Sequence, residues 1–201
     1  APSTGFRTDI DARLVDVSAD GRFVAFLSRA AGLVPGAPVS GYTDHLYVLD
    51  RQTGATRIVD APPPGDGSVE ANGNASEGQL SADGRNVAFR SNAGNLTPAD
   101  TNGDGWDVFF RDLDRPGVEL ASVSSSGVQA NSESYEPSLS PDGRMVGFSS
   151  YATNLAPGLT SGNFYAYVRD RPPGLTARFP PVGEAAPSPS FGTEPPSSAR
   201  Q

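Results

Sequence analysis

One short phrase, written three times, constrains the fold of this chain more than any other feature. The copies begin at Ser18, Ser81 and Ser140. Each reads Ser-(Ala or Pro)-Asp-Gly-Arg-x-Val-(Ala or Gly)-Phe, where x is a variable residue. Repetition at a nearly regular spacing is the signature of a fold built from stacked copies of one unit. Each copy is therefore expected to form the same small structure.

The phrase itself predicts a tight β-hairpin. Asp-Gly between two apolar runs favours a hairpin turn, because Gly adopts positive φ without steric cost and Asp can hydrogen-bond its own backbone. After the turn, apolar residues alternate with others, as Val87 and Phe89 do in the second copy. A period of two places these side chains on one face of a strand.

The flanking segments repeat as well, which extends each hairpin to a four-stranded unit. A Leu-x-Pro sequence follows each phrase, and its Leu is expected to plug a loop onto the core. These residues are Leu33, Leu96 and Leu155. A third strand ends at Asp in every copy, and a Gly shortly after it predicts a second hairpin turn. The Asp and Gly residues are Asp50 and Gly54, Asp112 and Gly117, and Asp170 and Gly174.

Four antiparallel strands in sequence order, repeated without helical periodicity, are typical of β-propeller blades. The sequence thus predicts an all-β fold, a β-propeller portion of three four-stranded antiparallel blades over residues 13–179. The blades span about 13–60, 76–123 and 135–179, after a lead-in at 1–12 and before a Pro/Ser-rich tail at 180–201. Pro189–Phe191 resembles the start of a blade at Pro137–Leu139, so the tail is either a linker or the stub of a fourth blade.

The repeated phrase, together with third strands that end in Arg-Asp at residues 111–112 and 169–170, resembles the WD-like propeller repeats of the TolB-like family. Members of that family are periplasmic or secreted bacterial propellers, and such propellers also occur as domains of some prolyl-oligopeptidase-type peptidases. The resemblance covers about residues 13–179. It implies a propeller, usually of six or more blades, that is used mainly for protein interaction. The repeats here are longer than the compact family repeat, and there are three of them.

Three blades are fewer than a closed propeller needs, since closed rings typically have about four to eight. An open arc leaves two blade faces uncovered, and large exposed apolar faces are rare in soluble monomers. We expect either a homo-oligomer, in which two copies close a six-bladed ring, or another protein chain that completes the propeller. The alternative is that the chain is a piece of a larger protein.

Composition and charge narrow the class of partner. A net charge of −8 disfavours nucleic acid and anionic membrane surfaces, because both require a basic surface. No stretch approaches the roughly 18 consecutive apolar residues of a membrane span, so no membrane insertion is expected. The chain has no Cys, so it has no disulfide and no thiolate metal site. Its start without Met favours a secreted, periplasmic or cell-surface location. All 15 basic side chains are Arg, which indicates a GC-rich, bacterial source.

The stretch from Asp100 to Asp107 is a candidate Ca²⁺ loop, because oxygen ligands at alternate positions around Gly are typical of such loops. The ligands would be Asp100, Asn102, Asp104, the carbonyl of Trp106, and Asp107. An EF-hand is not expected, because Arg111 stands where a bidentate Glu is needed and a strand follows. The alternative is an Asx- and Gly-rich turn without an ion. The other two repeats lack these carboxylates, so at most one Ca²⁺ per chain is expected.

Other polar residues favour structural roles over catalysis. His45 is the only His, so a Ser-His-Asp triad would have to use it, and no Gly-x-Ser-x-Gly elbow occurs. At the start of a third strand, His45 is expected to be a surface or turn residue. Glu77 and Glu136 occupy equivalent positions, which favours repeated structural or loop-lining residues over a catalytic pair. The turn arginines Arg22, Arg85 and Arg144 are expected to pair with Asp near strand three or with turn carbonyls.

Aromatic side chains at loop ends and strand entries are the remaining candidates for ligand binding. They are Tyr42, Trp106, Tyr135, Tyr151 and Tyr165. Such residues stack on sugars, anchor a protein partner, or simply pack over blade edges. The sequence favours a non-enzymatic, secreted or cell-surface propeller acting as a protein-binding or assembly module. The alternatives are a carbohydrate-binding propeller with a Ca²⁺-stabilised loop and the propeller part of a larger hydrolase.

Overall fold

The computed structural model of the chain describes residues 12–37, 39–63, 70–159, 163–172 and 174–179. These residues form three sheets, called blades 1, 2 and 3. Blade 1 contains β1 (Arg13–Val17), β2 (Phe23–Ser28), β3 (His45–Asp50) and β4 (Thr56–Ile58). Blade 2 contains β5 (Ala75–Leu80), β6 (Asn86–Ser91), β7 (Asp107–Asp112) and β8 (Glu119–Leu120). Blade 3 contains β9 (Ser134–Leu139), β10 (Met145–Ser150), β11 (Tyr165–Asp170) and β12 (Leu175–Arg178).

Every blade is an antiparallel meander whose four strands pair in sequence order. The predicted all-β fold of three four-stranded blades is therefore confirmed. The fourth strands are short, with only two residues in β8. Within the described ranges, no helix has the length and apolar character needed to cross a membrane. The suggested blade stub at Pro189–Phe191 lies outside the described residues.

The blades pack face to face, and we call each interface between consecutive blades a seam. In the seam between blades 1 and 2, Ala25 and Leu27 are buried against a face that includes Val87 and Phe89. In the seam between blades 2 and 3, Ala88 and Val108 belong to one cluster with Val146 and Phe148. Because side chains alternate along β2, β6 and β10, each middle strand serves two faces.

A stacked aromatic pair marks the same face of every blade. The ring centroids are 5.5 Å apart for Phe26 and Tyr47, 5.6 Å for Phe89 and Phe109, and 5.4 Å for Phe148 and Tyr167. Each pair joins residues directly opposite each other on the second and third strands. The pairs of blades 2 and 3 lie in the two seams, whereas the pair of blade 1 lies on its outward face.

The Leu predicted to plug each loop does so in two blades. Leu96 and Leu155 are buried in the two hydrophobic clusters, which confirms the prediction there. Leu33 is only half-buried. Its loop belongs to blade 1, which has no preceding blade within the described residues.

The ends of the strands define two edges of the molecule. The turn edge carries the three Asp-Gly-Arg hairpins, and the loop edge carries the connections between second and third strands and between blades. In the first hairpin, Ser18 Oγ donates to Asp20 at 2.7 Å and accepts from the Phe23 amide at 2.9 Å. The same bonds recur in the other two hairpins. The repeated phrase is thus a structural turn in all three copies.

Candidate functional site

The arginines of the turn edge bind neighbouring carboxylates. Arg22 makes a bidentate pair with Asp50 at 3.0 and 2.7 Å, and Arg144 does the same with Asp170 at 2.8 and 2.6 Å. The Arg22 guanidinium holds the pKa of Asp50 well below its usual range. The predicted pairing is confirmed for these two. Arg85 also pairs with an Asp near its third strand, at the longer distance of 3.7 Å from Asp114.

The loop edge, unlike the turn edge, carries different chemistry in each blade. In each blade, we compare the residue that directly follows the second strand with the residue that directly precedes the third strand. Blade 1 has Arg29 and Asp44, which form a bidentate pair at 3.1 and 3.0 Å. Blade 2 has Asn92 and Trp106, and blade 3 has Tyr151 and Phe164, whose ring centroids are 4.7 Å apart. Differences between copies of one unit point to this edge as the candidate functional surface.

A cation between two aromatic rings ties blade 2 to blade 3 at the loop edge. The Arg90 guanidinium lies 4.2 Å from the ring centroids of both Trp106 and Tyr135. Arg90 Nε donates to the Ser134 carbonyl at 3.0 Å, and the side chain is 12% exposed. Because the guanidinium occupies one face of each ring, Trp106 and Tyr135 have less free surface than the sequence suggests.

Three rings continue this stack and form what we call the aromatic shelf: Tyr135, Tyr151 and Phe164. Tyr135 meets Tyr151 and Phe164 edge-on, at centroid distances of 6.2 and 5.7 Å. Tyr151 and Phe164 are each 45% exposed. The Tyr135 hydroxyl donates to the exposed Glu133. The shelf therefore offers apolar rings beside a carboxylate.

Glu77 and Glu136 lie next to the shelf on the first strands of blades 2 and 3. Glu77 Oε2 accepts the Glu136 amide at 3.0 Å, and Glu136 accepts from Ser149 Oγ at 2.9 Å. Glu136 has a φ of 54°, a backbone conformation that is uncommon outside Gly. The Glu77 contact across the seam supports the predicted structural role for this pair.

The acidic loop converges on Asp107, a buried residue at the start of β7. Its carboxylate accepts from Ser122 Oγ at 2.7 Å and from the side-chain amides of Asn102 and Gln129, both at 2.9 Å. Burial raises the pKa of Asp107 despite these donors. The Gln129 amide also donates to Asp100 at 3.0 Å. Two of the five predicted calcium ligands are therefore joined by one amide.

Calcium binding at this loop stays a prediction. In the described part of the chain, no three His, Asp or Glu side chains converge closely enough to hold an ion. Asp104 is exposed, and one carboxylate oxygen of Asp100 is buried without a hydrogen-bond partner. An ion would require the amides of Asn102 and Gln129 to turn their oxygens towards it, since amide nitrogens are not calcium ligands.

His45 is fully buried, so the prediction of a surface or turn residue is wrong. Nδ1 lies 2.9 Å from Asp60 Oδ2, and Nε2 lies 2.9 Å from Glu70 Oε1 and 2.8 Å from Thr43 Oγ1. Burial by itself lowers the pKa of His45, but the hydrogen bonds and charges of Asp60 and then Glu70 outweigh it. The pKa therefore lies above its ordinary value. Both carboxylates come from the connection between blades 1 and 2, a contact that spacing in the sequence does not reveal.

The order hydroxyl, His45, Asp60 resembles a hydrolase triad, but two observations favour a structural node. Nε2 is already held by Glu70, and the ring has no exposed surface. The equivalent positions in blade 2 are Asp107, Ser122 and Gln129, which form the same bonds without a His. Each node joins the start of a third strand to the connection between blades.

The structure brings three of the five predicted aromatics together and separates the other two. Trp106, Tyr135 and Tyr151 meet at the loop edge of blades 2 and 3. Tyr42 is 86% exposed in the β2–β3 loop of blade 1. The Tyr165 ring lies beneath Arg178, at 4.9 Å.

Sequence reasoning missed Arg90 and Phe164. A signal existed for both, because Arg90 replaces Leu27 of the first copy and Phe164 aligns with Trp106. A charged residue at an otherwise buried strand position is informative.

Solved structures with the same fold include the putative TolB from Agrobacterium tumefaciens. It matches with a TM-score of 0.50 and 17% identity, over 85% of this chain and 50% of that chain. The β-propeller domain of the Trilobed protease from Pyrococcus furiosus, described as having an open velcro topology, matches with a TM-score of 0.51 and 14% identity. That match covers 86% of this chain and 44% of the other. The chain has a TolB-like β-propeller fold.

At these identities the likeness concerns the fold alone. The chain spans about half the length of both structures. No family model matches the chain, and no curated protein matches it in sequence.

Proposed function

We propose that this chain is a non-enzymatic assembly module, a propeller portion that becomes complete when another chain covers its open blade faces. The outward face of blade 1 carries the proposal. On that face the Phe26–Tyr47 pair is already buried, whereas Leu14 and Val17 beside it are 70% and 42% exposed. Leu80 and Leu139, which take the place of Val17 in blades 2 and 3, are buried. Apolar side chains that a neighbouring blade covers elsewhere favour a partner on this face.

A second copy is the first partner to test, because most oligomers are symmetric homo-oligomers. Light scattering after size exclusion, over a concentration series that includes micromolar chain, is expected to give twice the mass of one chain. A single-chain mass throughout that series would contradict self-assembly.

The absence of catalysis is part of the proposal. It is supported by the hydrogen bonds that occupy His45, Glu77 and Glu136. Secretion remains a prediction from the sequence. Hydrolysis of peptidase or glycosidase substrates, lost on His45→Asn or Glu77→Gln substitution in a folded protein, would overturn this part.

Carbohydrate binding is a second candidate, favoured by the two exposed rings of the aromatic shelf beside Glu133. A glycan array probed with wild-type protein and Tyr151→Ala would show ligands lost in the variant. Tyr42→Ala is the matched control, because Tyr42 is an exposed Tyr outside the shelf. If Ca²⁺ stabilises the acidic loop of this candidate, millimolar Ca²⁺ raises the melting temperature, and Asp107→Asn abolishes that shift.

The propeller part of a larger hydrolase is the third candidate. It is favoured by the match to the propeller domain of a protease and by the half-length coverage. A catalytic domain encoded in the same reading frame would decide for it.

A further inference from the structure

The two internal seams share a backbone hydrogen bond that the last blade cannot offer. The Ala19 amide donates to the Ala82 carbonyl at 3.0 Å, and the Ala82 amide donates to the Pro141 carbonyl at 2.9 Å. Pro141 is the next residue in this series, at the turn edge of blade 3. Proline has no N–H, so blade 3 has no donor for a following blade.

A second polar contact is also missing from both ends of the arc. Asp16 Oδ2 accepts the Leu80 amide at 2.8 Å, and Gln79 Oε1 accepts the Leu139 amide at 2.6 Å. Blade 3 has the shorter Ser138 at this position, opposite Gly147. The matching amide of blade 1, that of Val17, is already bound to Asp16 Oδ1 at 2.8 Å. Blade 3 has therefore lost the side-chain acceptor that Asp16 and Gln79 provide in the two seams. At the other end of the arc, the Val17 amide of blade 1 already has an acceptor within its own blade.

Charged side chains also bridge the two seams and are replaced by apolar residues at the ends of the arc. Arg111 donates to the Val59 carbonyl at 2.9 Å, and Arg169 donates to the Ser124 carbonyl at 3.3 Å. Blade 1 has Leu49 at this position. On the outer strands, Arg57 donates to the Leu113 carbonyl at 2.9 Å, and Glu119 pairs with Arg171 at 3.1 Å. Blade 3 has Ala177 there.

Both end faces also carry exposed apolar side chains. Leu14 and Val17 are exposed on blade 1. On the outward face of blade 3, Met145 and Leu175 are 44% and 55% exposed and Ala166 is exposed. Met145 occupies the position of Phe23, whose ring covers Gly84 of the following blade. Blade 3 therefore presents an apolar side chain, Met145, where it could cover the Asp-Gly-Arg turn of a further blade. No such blade follows within the described residues.

We infer that the two end faces are each other's partners: blade 1 of one copy docks head to tail on blade 3 of a second copy, through an apolar junction. The inference rests on the proposed self-assembly and adds its orientation and chemistry. Two such junctions close a ring of six blades with two-fold symmetry. The end faces have lost the amide donor at Pro141 and the side chains that bridge the two seams, and a buried charge or donor without a partner would be costly at such a junction.

Complementation between two blocked variants tests the orientation. Leu14→Asp blocks the blade 1 face, and Ala166→Asp blocks the blade 3 face, in each case at an exposed residue that tolerates substitution. Burying an unpaired carboxylate is expected to weaken self-association by about a hundredfold or more in each variant. Mixed together, the two variants still share one pair of intact faces, so a heterodimer is expected at the highest concentrations. Val128→Asp, at a 55% exposed apolar residue on neither end face, is the control and stays associated.

The outcomes separate the inference from the proposed function. If Ala166→Asp associates like the wild type while Leu14→Asp does not, blade 1 faces pair with each other. The head-to-tail junction is then wrong, although self-assembly stands. If both variants dissociate and the mixture does not recover, the junction is also wrong. A wild-type chain that is monomeric throughout overturns both the junction and the proposed self-assembly. Circular dichroism of each variant verifies that it is folded.

Discussion

At the residue scale, the first residue of the third strand differs in chemical type between blades 1 and 2 but lies in a buried polar node in both. The first residue of the third strand is His45 in blade 1 and Asp107 in blade 2, and both are fully buried in polar nodes. The node of blade 1 holds an imidazole between two carboxylates, whereas that of blade 2 holds a carboxylate among neutral donors. Blade 1 is therefore the one whose node responds to pH near neutrality.

His45→Asn is expected to destabilise the chain more at pH 6 than at pH 9. The raised pKa of His45 means that its charged form contributes stability fully below about pH 6.5, the unfolded value, and that this is lost as pH rises through the folded pKa. Removing the imidazolium leaves the buried Asp60 without its charged partner, although the Leu46 amide still donates to it, and this costs about 3 kcal/mol at pH 6. Urea denaturation at both pH values measures the difference. Leu155→Ala, which removes no charge, should cost the same at both, and a constant or growing His45 effect would count against the charged node.

Gly84→Ala is expected to cost more stability than Gly21→Ala, although both glycines have a φ of 69°. The backbone penalty is about 1 kcal/mol in each case. A Cβ on Gly84 would meet the Phe23 ring at 2.3 Å, whereas on Gly21 the nearest atom is Arg51 Nη1 at 3.9 Å. Moving a packed ring adds about 1–3 kcal/mol for Gly84. Equal losses in urea denaturation would show that the ring shifts freely.

At the element scale, the loop plug stabilises blades 2 and 3 more than blade 1. Leu96→Ala is expected to cost about 3 kcal/mol, because it removes a fully buried side chain from the cluster between blades. Leu33→Ala is the matched control, and its loss should be about 1 kcal/mol or less, since Leu33 is half-buried. Thermal or urea unfolding compares them. Equal losses would mean that a further surface covers Leu33 in solution.

The strands and hairpins could be predicted because their causes are local. Asp-Gly turns and alternating Val and Phe act within a few residues, so three copies were enough to define four strands each. The polar nodes could not be predicted, since Asp60 and Glu70 reach His45 through the connection between blades. The aromatic shelf was predicted only in part. Tyr135 and Tyr151 were found by type, but their contact depends on the packing of β9 against β10.

At the scale of the whole molecule, the arc has two internal seams with polar contacts and two end faces without them. An apolar junction between copies should respond little to salt, because screening acts on charges. Raising NaCl from about 0.05 to about 0.5 M should leave the dissociation constant within roughly twofold in sedimentation velocity. A tenfold weakening would indicate that charged groups hold the copies together.

Small-angle X-ray scattering of the associated species shows whether two copies close a ring. Two three-bladed arcs joined at both ends are predicted to scatter as one compact disc with the profile of a single six-bladed propeller. An elongated particle, in which two arcs touch through one face only, would show that the ring does not close.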